Sequence, residues 1–182
     1  MNKLKLAAAL TVASFMMTPM ASADDDIFNG PYGSLQVGAS VVKMEGSIFS
    51  GPIKESDYSL LVGGALGMRT AVGADLPLVI GVEATANYYS ADSDYRVGIS
   101  GLAGVRVGAR GLAYARVGYG KLARNAEDLD GMVLGGGFEF KITSDANIRF
   151  DYKKLNYKYT DFPDNAINYD GHEVSMGMVF SF

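Results

Sequence analysis

From Asp170 to Phe182 the chain alternates without a break. His172, Val174, Met176, Met178, Phe180 and Phe182 hold one parity, and Glu173, Ser175, Gly177, Val179 and Ser181 hold the other. A side-chain period of 2 is the mark of a strand, and here one face is apolar up to the last phenylalanine.

Seven more segments of this kind precede it. Leu35, Val37, Ala39 and Val41 alternate with Ser34, Gln36, Gly38 and Ser40. Tyr58, Leu60, Val62, Leu66 and Met68 oppose Ser59, Gly63, Gly67 and Arg69, and Leu78, Ile80, Val82, Ala84 and Tyr88 oppose Gly81, Glu83, Thr85 and Asn87. The fourth sets Tyr95, Val97, Ile99, Ala103, Val105 and Val107 against Arg96, Gly98, Ser100, Gly104 and Arg106. The fifth sets Ala113, Ala115, Val117 and Tyr119 against Tyr114, Arg116, Gly118 and Gly120. In the sixth, Met132, Leu134, Phe138, Phe140 and Ile142 oppose Gly135, Gly137, Glu139 and Lys141. In the seventh, Ala146, Ile148, Phe150 and Tyr152 oppose Asn147, Arg149, Asp151 and Lys153. Each segment can supply the roughly 9–11 residues of a tilted membrane-spanning strand.

Alternation alone fits a soluble barrel with its apolar face inward as well as a membrane barrel with that face outward. Four features favour the membrane. The polar face is rich in Gly and Ser between its charges, as a narrow filled interior requires. The apolar face carries no charge in the strand cores. Tyr58, Tyr88, Tyr95 and Tyr119 stand at one end of it and Phe140, Phe180 and Phe182 at the other, where aromatic girdles meet the lipid interfaces. The connections 43–57, 121–131 and 154–170 read as long loops and 90–94 as a moderate one. The segments 108–110 and 143–145 read as tight turns, with Thr70–Asp75 the longer member of that set. The expected fold is all-β, an eight-stranded antiparallel up-and-down transmembrane β-barrel.

The N-terminus adds an address. Lys3 and Lys5, the apolar run from Leu6 to Met17 and Ala21-Ser22-Ala23 have the form of a secretory signal peptide, so residues 1–23 are read as cleaved and 24–182 as one barrel domain. Losing the two lysines takes the formal net charge from −4 to −6, which with no basic stripe speaks against nucleic-acid binding. The absence of cysteine excludes a disulfide framework and a lipidated N-terminal Cys.

Ten charged residues share the inward parity: Arg69, Glu83, Arg96, Arg106, Arg116, Glu139, Lys141, Arg149, Asp151 and Lys153. An eight-stranded barrel is only wide enough for its side chains, so these groups are expected to meet, with Glu83 and Glu139 among Arg96, Arg106 and Arg116 as the central set. Two readings stand. One is a structural salt-bridge network that plugs the lumen. The other is a small or gated pore, which the basic excess would make anion-favouring.

The loops carry Asp57, Asp92, Asp94, Glu127, Asp128, Asp130, Asp161, Asp164 and Asp170. Ile48, Phe49 and Ile53 in the first and Tyr157, Tyr159, Phe162 and Tyr169 in the last are candidate anchors for a surface ligand. Catalytic groups are scarce. His172 is the single histidine, and Ser175 lies on the opposite face of its strand, so a hydroxyl–imidazole pair is not expected. Asp24–Asp26 lack the spacing of a calcium loop, and no cofactor or metal is expected. Gly63-Gly64 and Gly135-Gly136-Gly137 fall mid-strand, where glycine permits close packing of the wall.

On the signal peptide, Tyr114-Ala115-Arg116-Val117-Gly118-Tyr119, Gly135 to Thr143, Ile148-Arg149-Phe150-Asp151-Tyr152 and Met176 to Phe182, the chain resembles the small outer-membrane barrels of the opacity-protein and outer-membrane-protein-X or -A type. The resemblance implies a Gram-negative cell-surface protein of the porin-like barrel class, embedded in outer-membrane lipid and lipopolysaccharide. It implies that Phe182 belongs to the signal read by the barrel-assembly machinery, and that the peptidoglycan-binding domain of longer relatives is missing. It also implies roles in adhesion, resistance to host defences or envelope integrity through a host or surface ligand at the loops, with a monomer expected. Lipid A-modifying enzymes share the architecture and form a third, disfavoured reading.

Overall fold

The alternating segments form eight strands: β1 (Gly30–Ile48), β2 (Gly51–Ala71), β3 (Leu78–Tyr89), β4 (Asp94–Val107), β5 (Gly111–Arg124), β6 (Glu127–Lys141), β7 (Ala146–Thr160) and β8 (Ala166–Ser181). The computed structural model describes residues 28–48, 51–72, 77–91, 94–124, 127–160 and 166–182. Every strand pairs antiparallel with its sequence neighbours, and β8 pairs with β1 to close the barrel. The Phe182 amide completes the closure by donating to the Pro31 carbonyl at 3.1 Å.

The register fixes the barrel's dimensions. Stepping across the strands from Ser34 through Ala65, Thr85, Gly98, Gly120, Gly131, Tyr157 and Tyr169 returns to β1 at Met44, ten residues beyond the start. With a rise of about 3.3 Å per residue and strands about 4.8 Å apart, that stagger gives a tilt of about 40° and a backbone radius of about 8 Å. Side chains projecting inward from all sides fill such a cylinder.

The alternation in burial follows the alternation in sequence. Leu35, Leu60, Ile99 and Val174 point outward and are more than 60% exposed, while Gln36, Leu61, Ser100 and Glu173 beside them are buried. Apolar side chains that face outward from every strand need an apolar solvent, and lipid is the one that a closed barrel meets.

The connections correct one expectation. The segments 43–57, 121–131 and 154–170 are not long loops; the strands run on through them. Lys43 pairs with Ser56 and the ladder continues to Ile48 opposite Gly51, Arg124 lies opposite Glu127, and Thr160 lies opposite Ala166. Two antiparallel strands leaving the lipid keep satisfying each other's backbone groups, so the ladder has no reason to stop at the interface. At about 2.5 Å of height per tilted residue, the 19 and 21 residues of β1 and β2 reach about twice the apolar band of a bilayer. Phe49, Asp92, Asp161, Phe162 and Asp164 lie outside the described residues, as do residues 1–27 with the leader and Asp24–Asp26, and the side chains of Ile48, Ile53, Glu127, Asp128, Tyr159 and Tyr169.

At the other end, where Phe28 and Phe182 lie, the β6–β7 turn is tight. The Thr143 hydroxyl accepts from the amides of Asp145 at 3.3 Å and Ala146 at 3.1 Å, and the Ile142 amide donates to the Ala146 carbonyl at 3.0 Å. This turn sets Glu139 directly opposite Arg149.

Candidate functional site: the barrel lumen

Inward side chains gather into two apolar patches and two polar clusters. Toward the Phe182 end Phe28, Val79, Leu112 and Tyr114 form an apolar patch with Leu102 against it, beside Arg69, Glu139 and Arg149. At the hairpin end Leu129, Val133, Leu155 and Tyr157 form a second, with Leu122. The two polar clusters stand beside them.

The cluster nearer the terminal end is built on two glutamates. Glu139 receives Arg69 at 2.8 Å, the Arg149 Nη2 at 2.7 Å and Nε at 2.9 Å, and the Asn147 amide at 3.0 Å. Glu83 receives Arg116 at 2.9 Å, Arg149, and the Tyr32 hydroxyl at 2.9 Å. Arg116 also reaches Asp151 at 3.2 Å, and the Tyr114 hydroxyl donates to Asp151 at 2.6 Å. Tyr32 lies under two guanidinium groups, Arg69 at 4.5 Å and Arg149 at 5.2 Å from its ring centre. Gly67 makes this possible, since a side chain there would collide with the Tyr32 ring.

The second cluster is centred on Glu173, which binds Arg96 at 2.8 Å and accepts from the Tyr89 hydroxyl. Below it the side-chain amides of Gln36 and Asn87 meet at 2.7 Å, and Lys153 and the Ser175 hydroxyl reach the Gln36 carbonyl oxygen at 3.4 Å. All these charged groups are buried, a state that ions tolerate only when paired and hydrogen-bonded.

Of the charged residues singled out in the sequence, the structure gathers Arg69, Glu83, Arg116, Glu139, Arg149 and Asp151 into one cluster and sets Arg96 and Lys153 in the other. The central set differs from expectation. Arg149 bridges the two glutamates, Arg96 serves Glu173, and Arg106 and Lys141 stand half-buried toward the terminal end. Sequence reasoning left out Glu173, although its parity is inward. It also left out Tyr32, Tyr89 and Tyr114, whose positions were legible but whose hydroxyl partners depend on cross-barrel reach.

Among the described residues, with Glu173 and Asp94 included, the buried cations Arg69, Arg96, Arg116, Arg149 and Lys153 face as many buried carboxylates. The expected basic bias of the interior therefore disappears in its buried part. Tyr157 is corrected as well: it is an inward side chain of the apolar patch at the hairpin end, 4% exposed, and no loop anchor.

On the outer wall Tyr58, Tyr95 and Tyr119 are exposed, and Tyr88 faces Tyr95 across β3–β4 with ring centres 5.1 Å apart. Phe140 and Phe180 are exposed toward the terminal end, about 20 Å lower along the axis by residue rise. A closed eight-stranded barrel with an apolar exterior and a filled polar interior is the architecture of bacterial outer-membrane proteins. A family model described as "Outer membrane protein beta-barrel domain" matches residues 7–182.

The chain belongs to this outer-membrane β-barrel family.

The family membership places the barrel in the bacterial outer membrane. Its fold is similar to that of Neisserial surface protein A, at 14% identity and a TM-score of 0.50, covering 81% of this chain and 97% of that one. Two further similar structures are OprG from Pseudomonas aeruginosa (13% identity, 86% and 99% covered, TM-score 0.48) and Ail, the attachment invasion locus protein of Yersinia pestis (13%, 84% and 99%, 0.43). No curated protein matches the chain in sequence.

This outer-membrane barrel also separates its two candidate catalytic residues. His172 faces outward with its Nδ1 at 2.7 Å from the Tyr152 hydroxyl, whereas Ser175 faces the lumen and Gln36. Among the described residues no group of three metal-ligating side chains converges.

Proposed function

We propose that this outer-membrane barrel is sealed and acts at the cell surface, through its protruding hairpins, in adhesion, resistance to host defences or envelope integrity. The observation that carries this reading is the filling of the lumen: two apolar patches packed beside a charge-balanced, mutually bonded network. An ion crossing it would have to shed water and break buried ion pairs, the latter unfavourable by on the order of 3–5 kcal/mol.

In this reading the tight turns face the periplasm and the long hairpins face outward. Tyr58, Tyr88, Tyr95 and Tyr119 seat the outer interface, and Phe140, Phe180 and Phe182 the inner one, with Phe182 serving the assembly machinery after export by the leader 1–23. The barrel is non-enzymatic, since a histidine and a serine on opposite faces of β8 have no shared substrate position. It acts as a monomer, closed on itself without an open edge.

Single-channel recording of the refolded protein in a planar bilayer tests the proposal, with heat-modifiable gel mobility reporting folding. A folded, silent barrel is expected. Discrete salt-dependent steps that change with Arg116→Ala or Glu139→Ala would instead establish the pore.

A further inference from the structure

We infer that Phe28 is a stopper for the lumen at its Phe182 end, seated by Gly30 and able to withdraw while the barrel stays folded. In the orientation proposed above, this mouth opens to the periplasm.

The place for a stopper follows from where the strands end. Val79 is the second residue of β3, Leu112 the second of β5 and Arg69 the third from the end of β2, so all three point inward at the mouth of the cylinder. Inward side chains at an open mouth meet water, yet these are 3%, 3% and 5% exposed. Phe28 packs with Val79 and Leu112, and the Arg69 guanidinium lies over its ring, 5.3 Å from the centre. A phenyl ring suits this position because it offers apolar surface to the aliphatic side chains and a π face to the cation.

Phe28 differs from its neighbours in how it is held. Val79, Leu102, Leu112 and Tyr114 belong to strands, whereas β1 begins only at Gly30, where pairing with Arg69 starts. Gly30 has a φ of 99°, a region that other residues rarely adopt, and this bond turns the chain from the end of β1 toward β3 and β5. Strand β5 stands on the wall opposite β1 in the closed order of eight, so the turn lays Phe28 across the mouth.

Withdrawing Phe28 therefore breaks side-chain contacts and leaves every strand pairing in place. Exposing one phenyl side chain costs roughly what releasing two ordered backbone residues returns, which places the withdrawn form among minor states populated at about 0.1–10%. With Phe28 out, the Arg69–Glu139 pair is reached by water from this end, while Leu129, Val133 and Leu155 keep the hairpin end closed. The lumen is then a chamber open at one end.

The chain has no cysteine, so a single introduced thiol reports access. Val79→Cys places one beneath Phe28, and Val133→Cys places one in the hairpin-end patch. Each protein is refolded into lipid nanodiscs, checked by heat-modifiable mobility, and treated with a charged maleimide. Val79→Cys is expected to react measurably, and about 10–1,000-fold faster when combined with Phe28→Ala. Gly30→Ala, which disfavours the seating turn, should also speed it, whereas Val133→Cys should keep one slow rate in all three backgrounds. The inference is overturned if neither change speeds Val79→Cys, if Val79→Cys never reacts while Phe28 and Gly30 are present, or if Val133→Cys accelerates in step, which is opening of the whole barrel. Conductance tests the sealed lumen separately, because a chamber open at one end carries no current whichever labelling rates are found.

Discussion

Arg149 lies directly across β6–β7 from Glu139, and the same guanidinium reaches past it to Glu83 on the far side of the barrel. One side chain therefore ties β7 to both β6 and β3. Replacing Arg149 by Met should leave two glutamates under-compensated in the interior and cost on the order of 3–5 kcal/mol. Urea unfolding in lipid vesicles checks this. The double variant Arg149→Met with Glu139→Gln should lose less than the sum of the two single changes.

Removing charges should not open a channel. Because apolar side chains pack beside the ionic clusters and fill the lumen with them, Glu139→Ala with Arg149→Ala is expected to lower stability and leave the bilayer current flat. Current should appear only when both apolar patches are also trimmed, as by Leu112→Ala in one and Leu155→Ala in the other. Planar-bilayer recording of the three proteins distinguishes the contributions.

The glycines of the wall differ in what surrounds them. A methyl group on Gly137 would meet the Tyr114 hydroxyl at 2.6 Å and an Asp151 carboxylate oxygen at 2.8 Å, two groups already bonded to each other. Gly101 has only the Val117 carbonyl, at 3.9 Å. Gly137→Ala should destabilise by about 1–3 kcal/mol and Gly101→Ala by a few tenths at most, read from urea midpoints.

Shortening the β1–β2 hairpin tests where the barrel ends. Glu45 pairs with Lys54 beyond the lipid-facing stretch, so deleting residues 46–53 and joining the strands by Asn-Gly should preserve heat-modifiable mobility while removing the outermost surface. Loss of folding on this deletion would show that the extension is structural.

Much of this was legible from residue order. Parity alone assigned the inner and outer faces of β2, β4 and β7, because lipid and lumen impose opposite solubilities on alternate residues. The Glu139–Arg149 pair was readable too: a turn at 143–145 makes residues 139 and 149 partners. What parity could not supply was reach across the cylinder. Arg149 to Glu83, Tyr89 to Glu173 and Tyr114 to Asp151 join residues of non-neighbouring strands or different heights, and only the stagger of ten residues determines which of them meet. The loop boundaries failed for another reason. Polar composition at 43–57 reports exposure to water, and a strand pair standing above the membrane is exposed to water as fully as a loop.

The interior charges also guard assembly against misalignment. Were β7 to slip by one residue against its neighbours, Arg149, Asp151 and Lys153 would all swing into lipid, and each misplaced cation near the bilayer centre costs roughly 2–4 kcal/mol. The same holds for Arg69 on β2, Arg96 on β4, Arg116 on β5 and Glu173 on β8. Strand β1 brings no such sentinel; its described inward side chains are Tyr32, Ser34, Gln36, Ser40 and Val42. Its alignment is held by the Tyr32–Glu83 and Gln36–Asn87 hydrogen bonds, so the seam where the cylinder shuts is the place most open to error.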